Sequence, residues 1–83
     1  MAATREEVFE RVKEVLTEQL GVDENEVTEE ASFQEDLDAD SLDLYELVME
    51  LEDRYGVSVS EEQAATIKTV GDAVAFVLEH APA

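Results

Sequence analysis

Asp36-Leu37-Asp38-Ala39-Asp40-Ser41-Leu42-Asp43-Leu44-Tyr45-Glu46-Leu47-Val48-Met49-Glu50-Leu51 is the stretch on which the fold turns. Its acids alone would suit a solvated tail, since like charges repel and runs of them tend to stay unfolded. The apolar residues decide otherwise. Leu44, Leu47, Val48, Leu51 and, further on, Tyr55 recur at three- and four-residue steps and make one stripe on a helix. Asp40 is a good N-cap, and Asp43 stands three residues later, where a carboxylate favours the first turn. Gly56 ends the helix.

Outward from this helix the same grammar repeats. Upstream, Thr4 with Glu7 gives a capping-box spacing. Val8, Val12, Val15, Leu16 and Leu20 then follow at helical steps, and Gly21 is a natural stop. Between the two helices runs a long connection, residues 22–40, whose Val22, Val27, Ala31, Phe33 and Leu37 recur irregularly. A connection of that length needs anchors or a function, and these apolar residues are expected to be pegs into the core. Downstream, Ser60 with Gln63 suggests a short third helix. Thr69 with Asp72 opens a fourth, with Val70, Ala73, Val74, Val77 and Leu78 as its expected buried face. Val57-Ser58-Val59 is the one strand-like alternative and is too short for a sheet. The expected class is all-α: a small irregular four-helix bundle with a long first loop and a short third helix. Residues 1–83 are expected to form a single domain, with 81–83, including Pro82, as a frayed tail.

Composition narrows the function. Of 83 residues, 23 are acidic and 5 basic, a net charge of −18. Forty consecutive residues between Lys13 and Arg54 hold sixteen acids and no base. Nucleic acid and anionic membranes are poor partners for such a surface, because binding to phosphate needs Lys and Arg. No apolar run has the length of a membrane span, and the N-terminus lacks a signal-peptide core. No cysteine is present, so there is no disulfide, thiolate metal site or thiol nucleophile. The chain reads as a soluble acidic domain of the cytoplasm whose partners are basic proteins.

One face of the second helix is left over by the core stripe. Leu42, Tyr45 and Met49 fall at i, i+3 and i+7, ringed by Asp43, Glu46, Glu50, Glu52 and Asp53. A small bundle burying a wide arc would account for them. A docking surface, apolar for contact and acidic for steering, accounts for them equally.

Three chemistries compete for the acidic centre. Asp36, Asp38 and Asp40 occupy positions 1, 3 and 5 of an EF-hand loop, but Ser41 stands where glycine is needed and Leu47 where a bidentate glutamate is needed. That leaves loose divalent binding and no specific metal site. Catalysis lacks its parts: the only histidine is His80, near the chain end, and no Ser-His-Asp set, cysteine nucleophile or glycine-rich phosphate loop exists. The third reading starts from Ser41, just inside a helix N-terminus. A serine there is commonly structural, yet free N–H groups and the helix dipole also suit a phosphate. Nothing nearby activates its hydroxyl, so another enzyme would have to modify it.

Asp40-Ser41-Leu42 resembles the attachment motif of acyl carrier proteins, and Asp36 to Asp43 is similar to the bacterial fatty-acid-synthesis members. The likeness continues through Glu46-Leu47-Val48-Met49, Gln19-Leu20-Gly21-Val22, Ala31-Ser32-Phe33, Ile67 and Thr69-Val70, and so covers essentially the whole chain. The resemblance implies that Ser41, flanked by Asp40 and Leu42, carries 4′-phosphopantetheine. A magnesium-dependent phosphopantetheinyl transferase, the holo-acyl-carrier synthase, would transfer it from coenzyme A. The arm's thiol would hold acyl groups as thioesters for fatty-acid synthesis enzymes with basic docking patches. The chain itself would be a monomer and would catalyse nothing. Apolar type combined with family layout makes Phe33, Leu51, Val59, Ala64, Ile67 and Val70 the candidate acyl-chain lining, and all six would equally suit an ordinary core. Two departures bear on the pathway. Asp38 stands where these members usually have glycine; if that position has positive φ, aspartate is among the better replacements. Tyr45 occupies a docking position that is more often aliphatic. A carrier for polyketide or another specialised acyl pathway is the alternative within the family. A non-covalent acidic interaction module is the alternative outside it.

Overall fold

The computed structural model describes residues 4–81. Four helices occur in order: α1 (Arg5–Leu20), α2 (Ser41–Tyr55), α3 (Glu61–Thr66) and α4 (Val70–His80). No strand forms among the described residues, and Val57 to Val59 is irregular. The radius of gyration is 11.5 Å.

Each start is set by a side chain that satisfies an orphan N–H of the first turn. Asp40, Ser60 and Thr69 form complete capping boxes with Asp43, Gln63 and Asp72. At Thr4 the hydroxyl accepts the Glu7 N–H at 3.2 Å. Gly21 and Gly56 end α1 and α2 at φ of 68° and 67°, a conformation that costs glycine nothing.

The core joins Val8, Val12, Val15 and Leu16 of α1 to Leu47 and Leu51 of α2 and to Val70, Ala73, Val74 and Val77 of α4. α1 packs chiefly on α4, then on α2. Two sequence expectations need amendment here. Leu78 is 36% exposed, because it lies one position past the stripe that meets α1. Ala39, not foreseen as a peg, is buried with Val27, Ala31, Phe33 and Leu37. Val22 is only half-buried at the core's edge. At the far end of α2, burial pushes the Tyr55 phenol pKa up, and the neighbouring Arg11 guanidinium partly offsets it.

The long connection is tied down by main-chain bonds to a distant part of the chain. It makes a short 3₁₀ turn at Glu24–Glu26, then runs beside the junction of α3 and α4. Phe33 N–H donates to the Lys68 carbonyl at 3.0 Å, Val70 N–H to Ala31 at 3.0 Å, and Gly71 N–H to Glu29 at 2.8 Å, around a bridge pairing Ser32 with Thr69. A Cβ on Gly71 would stand 2.9 Å from the Glu29 carbonyl oxygen, so the close approach requires glycine there. Arg5 pairs with the Glu29 carboxylate and ties α1 to the same point. The expected frayed tail lies outside the described residues except for Ala81, whose N–H donates to the Val77 carbonyl at 2.8 Å.

Candidate functional site

The site is built where the long connection turns into α2. Asp36 and Leu37 N–H groups both donate to the Ser32 carbonyl, and Ala39 N–H donates to Phe33 at 2.8 Å, which curls the chain around a buried Phe33. Closing that curl puts Asp38 at φ 55°, the one non-glycine residue with positive φ among those described. Aspartate tolerates this region better than most residues, which accounts for it in a glycine's place.

Asp40 then caps α2. Its Oδ1 accepts the Asp43 N–H at 2.9 Å, and Asp43 Oδ2 accepts the Asp40 N–H at 3.2 Å. The cap therefore consumes two aspartates and leaves the Ser41 hydroxyl unspent. Ser41 is the first residue of the helix and is exposed. The first intrahelical bond runs from Leu44 N–H to Asp40, so the Ser41 and Leu42 N–H groups point out of the open helix end, where an anion is favoured.

Ser41 also stands at the edge of a cleft of about 280 Å³ between α2 and α3. Leu44, Tyr45, Val48 and Glu52 line it from α2; Val59, Ser60, Glu61, Ala64 and Ala65 line it from the other side. Glu52 is held there because its Oε2 accepts the Val59 N–H at 2.9 Å. A second cleft of about 290 Å³ abuts the first, sharing Leu44, Ala64 and Ala65 and reaching Phe33, Ile67 and Lys68. Of the six residues expected as acyl lining, Val59 and Ala64 border the first cleft, and Phe33, Ala64 and Ile67 the second. Leu51 and Val70 lie in the solid core. Sequence reasoning missed Leu44, Val48 and Ala65 as walls. The signal was present in α2: Leu44 and Val48 are three and seven residues past Ser41 and so share its helix face.

The leftover face of α2 is open. Leu42, Tyr45 and Met49 are 64%, 62% and 49% exposed, so they are not the wide buried arc of a small bundle. Glu46, Glu50 and Asp53 are exposed around them, with Glu46 accepting the Gln19 Nε2–H at 3.1 Å. Asp43 is half-buried and spent on the cap, and Glu52 lies between this face and the cleft, half-buried. Asp36, Asp38 and Asp40 do not converge: Asp36 Oδ2 accepts the Ser32 N–H at 2.7 Å while Asp40 serves the helix. Among the described residues no group of acids or histidines is arranged to hold a metal ion. No described helix is long and apolar enough to cross a membrane. His80 is exposed, with its ring centroid 4.1 Å from that of Phe76.

Comparison with known proteins identifies the family. Residues 10–77 match the phosphopantetheine attachment site family. An acyl carrier protein of Rubrobacter xylanophilus is 55% identical over 76 residues, which span 92% of this chain and 94% of that protein. The solved structure of an acyl carrier protein from Enterococcus faecalis, described for its high thermal stability, superposes with a TM-score of 0.82. That protein is 37% identical, and the superposition covers 95% of this chain and all of the other. The chain therefore belongs to the acyl carrier protein family, whose cofactor is 4′-phosphopantetheine and whose members are carriers, not catalysts.

Proposed function

We propose that Ser41 is the attachment residue, and that the chain carries growing acyl groups on the arm there and delivers them to fatty-acid synthesis enzymes in the cytoplasm. One observation carries this reading: an exposed serine hydroxyl, free of the cap, sits at a helix N-terminus on the rim of an apolar cleft. In the loading step Ser41 Oγ bonds to the phosphorus next to pantetheine in coenzyme A. The pyrophosphate P–O bond breaks, adenosine 3′,5′-bisphosphate leaves, and the hydroxyl proton passes to a base on the transferase. The N–H groups of Ser41 and Leu42 favour the bound phosphate, and Asp40 holds the first turn by capping the Asp43 N–H. The arm, once bound, supplies the thiol that this cysteine-free chain lacks.

The protein's own work is presentation. Leu42, Tyr45 and Met49 offer apolar contact to the transferase and then to the synthesis enzymes, with Glu46, Glu50 and Asp53 steering basic patches and Asp43 and Glu52 at the margin. Leu44, Val48, Val59, Ala64 and Ala65 offer the acyl chain an apolar wall, with Phe33 and Ile67 deeper. The chain works as a monomer and keeps the open apolar face of α2 for its enzymes.

Intact-mass spectrometry after incubation with coenzyme A, magnesium and a broad-specificity phosphopantetheinyl transferase tests this. The native chain gains one phosphopantetheine, while Ser41→Ala gains none and melts within a few degrees of it, because Asp40 supplies the cap. An adduct on Ser41→Ala overturns the assignment.

A further inference from the structure

Among the described residues, Tyr45 is the one large apolar side chain that borders both functional surfaces. Its side chain is 62% exposed on the face it shares with Leu42 and Met49, yet it also lines the cleft that opens at Ser41, one helical turn away. It is the only aromatic among the cleft's lining residues. The α3 wall it faces is made of small or polar residues: Ser60, Glu61, Ala64 and Ala65. The Tyr45 ring is therefore the largest apolar group among the residues that line the cleft. A tyrosine suits such a lip, because its ring takes apolar contact while its hydroxyl stays in water.

We propose that Tyr45 is a specificity-determining residue: its ring forms the lip of the cleft and makes occupancy of the cleft legible on the docking face. This rests on the reading of Ser41 as the attachment point. A chain in the cleft packs against the inner edge of the ring and restricts its rotamers. A partner covering Leu42, Tyr45 and Met49 packs against the outer edge. Each binding event thus acts on the same side chain, and coupling between two sites is reciprocal. Chains too short to reach the ring leave it free, so the carrier presents a different face when loaded with long and with short chains.

The chain has two tyrosines and no tryptophan, so Tyr55→Phe leaves Tyr45 as the sole emitter. In that variant, with loading verified by mass, acrylamide quenching of tyrosine emission falls at least twofold from the holo to the octanoyl form and does not change from holo to acetyl. A second measurement uses hydroxylamine, which breaks the acyl C–S bond to give a hydroxamate and the free thiol. Tyr45→Val opens the mouth and speeds cleavage of the octanoyl thioester at least threefold, leaving the acetyl thioester at its native rate. Tyr45→Phe keeps native protection. Equal quenching in verified holo and octanoyl forms, or equal acceleration of both thioesters, overturns this inference alone. Failure of Ser41 to load at all overturns the reading beneath it, and this inference with it.

Discussion

The long first connection and α3 are both links between larger helices, and they are built in opposite ways. Residues 22–40 have almost no regular structure, yet they bury Val27, Ala31, Phe33, Leu37 and Ala39 and are tied by main-chain bonds to residues 68–71. α3 is a regular helix with a full capping box, and it buries no residue at all. Regularity and anchorage are separate properties. The irregular segment is held by what it buries and by distant carbonyls; the helical one is held by its own cap. The difference falls where it matters, since α3 is one wall of the cleft at Ser41 and the connection is the floor behind it. Local stability is expected to follow burial, with the wall opening more readily than the floor.

Four substitutions test that contrast. Phe33→Ala removes the largest fully buried side chain from the irregular segment and is expected to cost about 3–5 kcal/mol in denaturant unfolding. A loss near zero would mean the connection is not an anchor. Gly71→Ala comes next. In an exposed helix this change would stabilise by about 1 kcal/mol. Here the new Cβ meets the Glu29 carbonyl oxygen at 2.9 Å, so a loss of about 1–3 kcal/mol is expected, and the sign of the change measured by thermal melting decides the matter. Ser60→Ala removes the α3 cap, worth about 1 kcal/mol to that helix. Because α3 buries nothing, amide exchange over 61–66 should quicken while the global midpoint moves little. A matching fall in global stability would make wall and floor one unit. Smallest is Asp38→Gly, which relieves a left-handed aspartate and removes one charge from a chain at −18. Glycine's greater freedom when unfolded offsets part of this, leaving a gain of about 0.5 kcal/mol in chemical denaturation.

What was legible in the sequence follows the range of the interactions. The caps at Thr4, Asp40, Ser60 and Thr69 and the stops at Gly21 and Gly56 are matters of three or four residues, and each could be read directly. The core stripe of α2 and most of that of α4 followed from periodicity. Leu78 did not, because periodicity says which side a residue is on and not where the neighbouring helix stops covering it. The connection's pegs were visible as misplaced apolar residues, but their partners at Lys68, Val70 and Gly71 lie more than thirty positions away and leave no local mark. Gly71 looks like a weak point of a helix until the Glu29 carbonyl is seen beside it. At the candidate site, Ser41 stood out through its motif, whereas the cleft walls depend on how α3 sits against α2. Leu51 and Val70, apolar and well placed in sequence, were assigned to the lining on type alone and belong to the interior.

The clip between residues 29–33 and 68–71 bears on how such a sequence can evolve. Its bonds join main chain to main chain, and main-chain groups are the same whichever residue supplies them. Substitution at Glu30, Ser32 or Lys68 leaves every main-chain rung in place. Gly71 is the exception, since any side chain there strikes the opposite rung. A lineage carrying this clip can rewrite one side of its surface while its frame stays fixed by a single hydrogen atom where a Cβ would be.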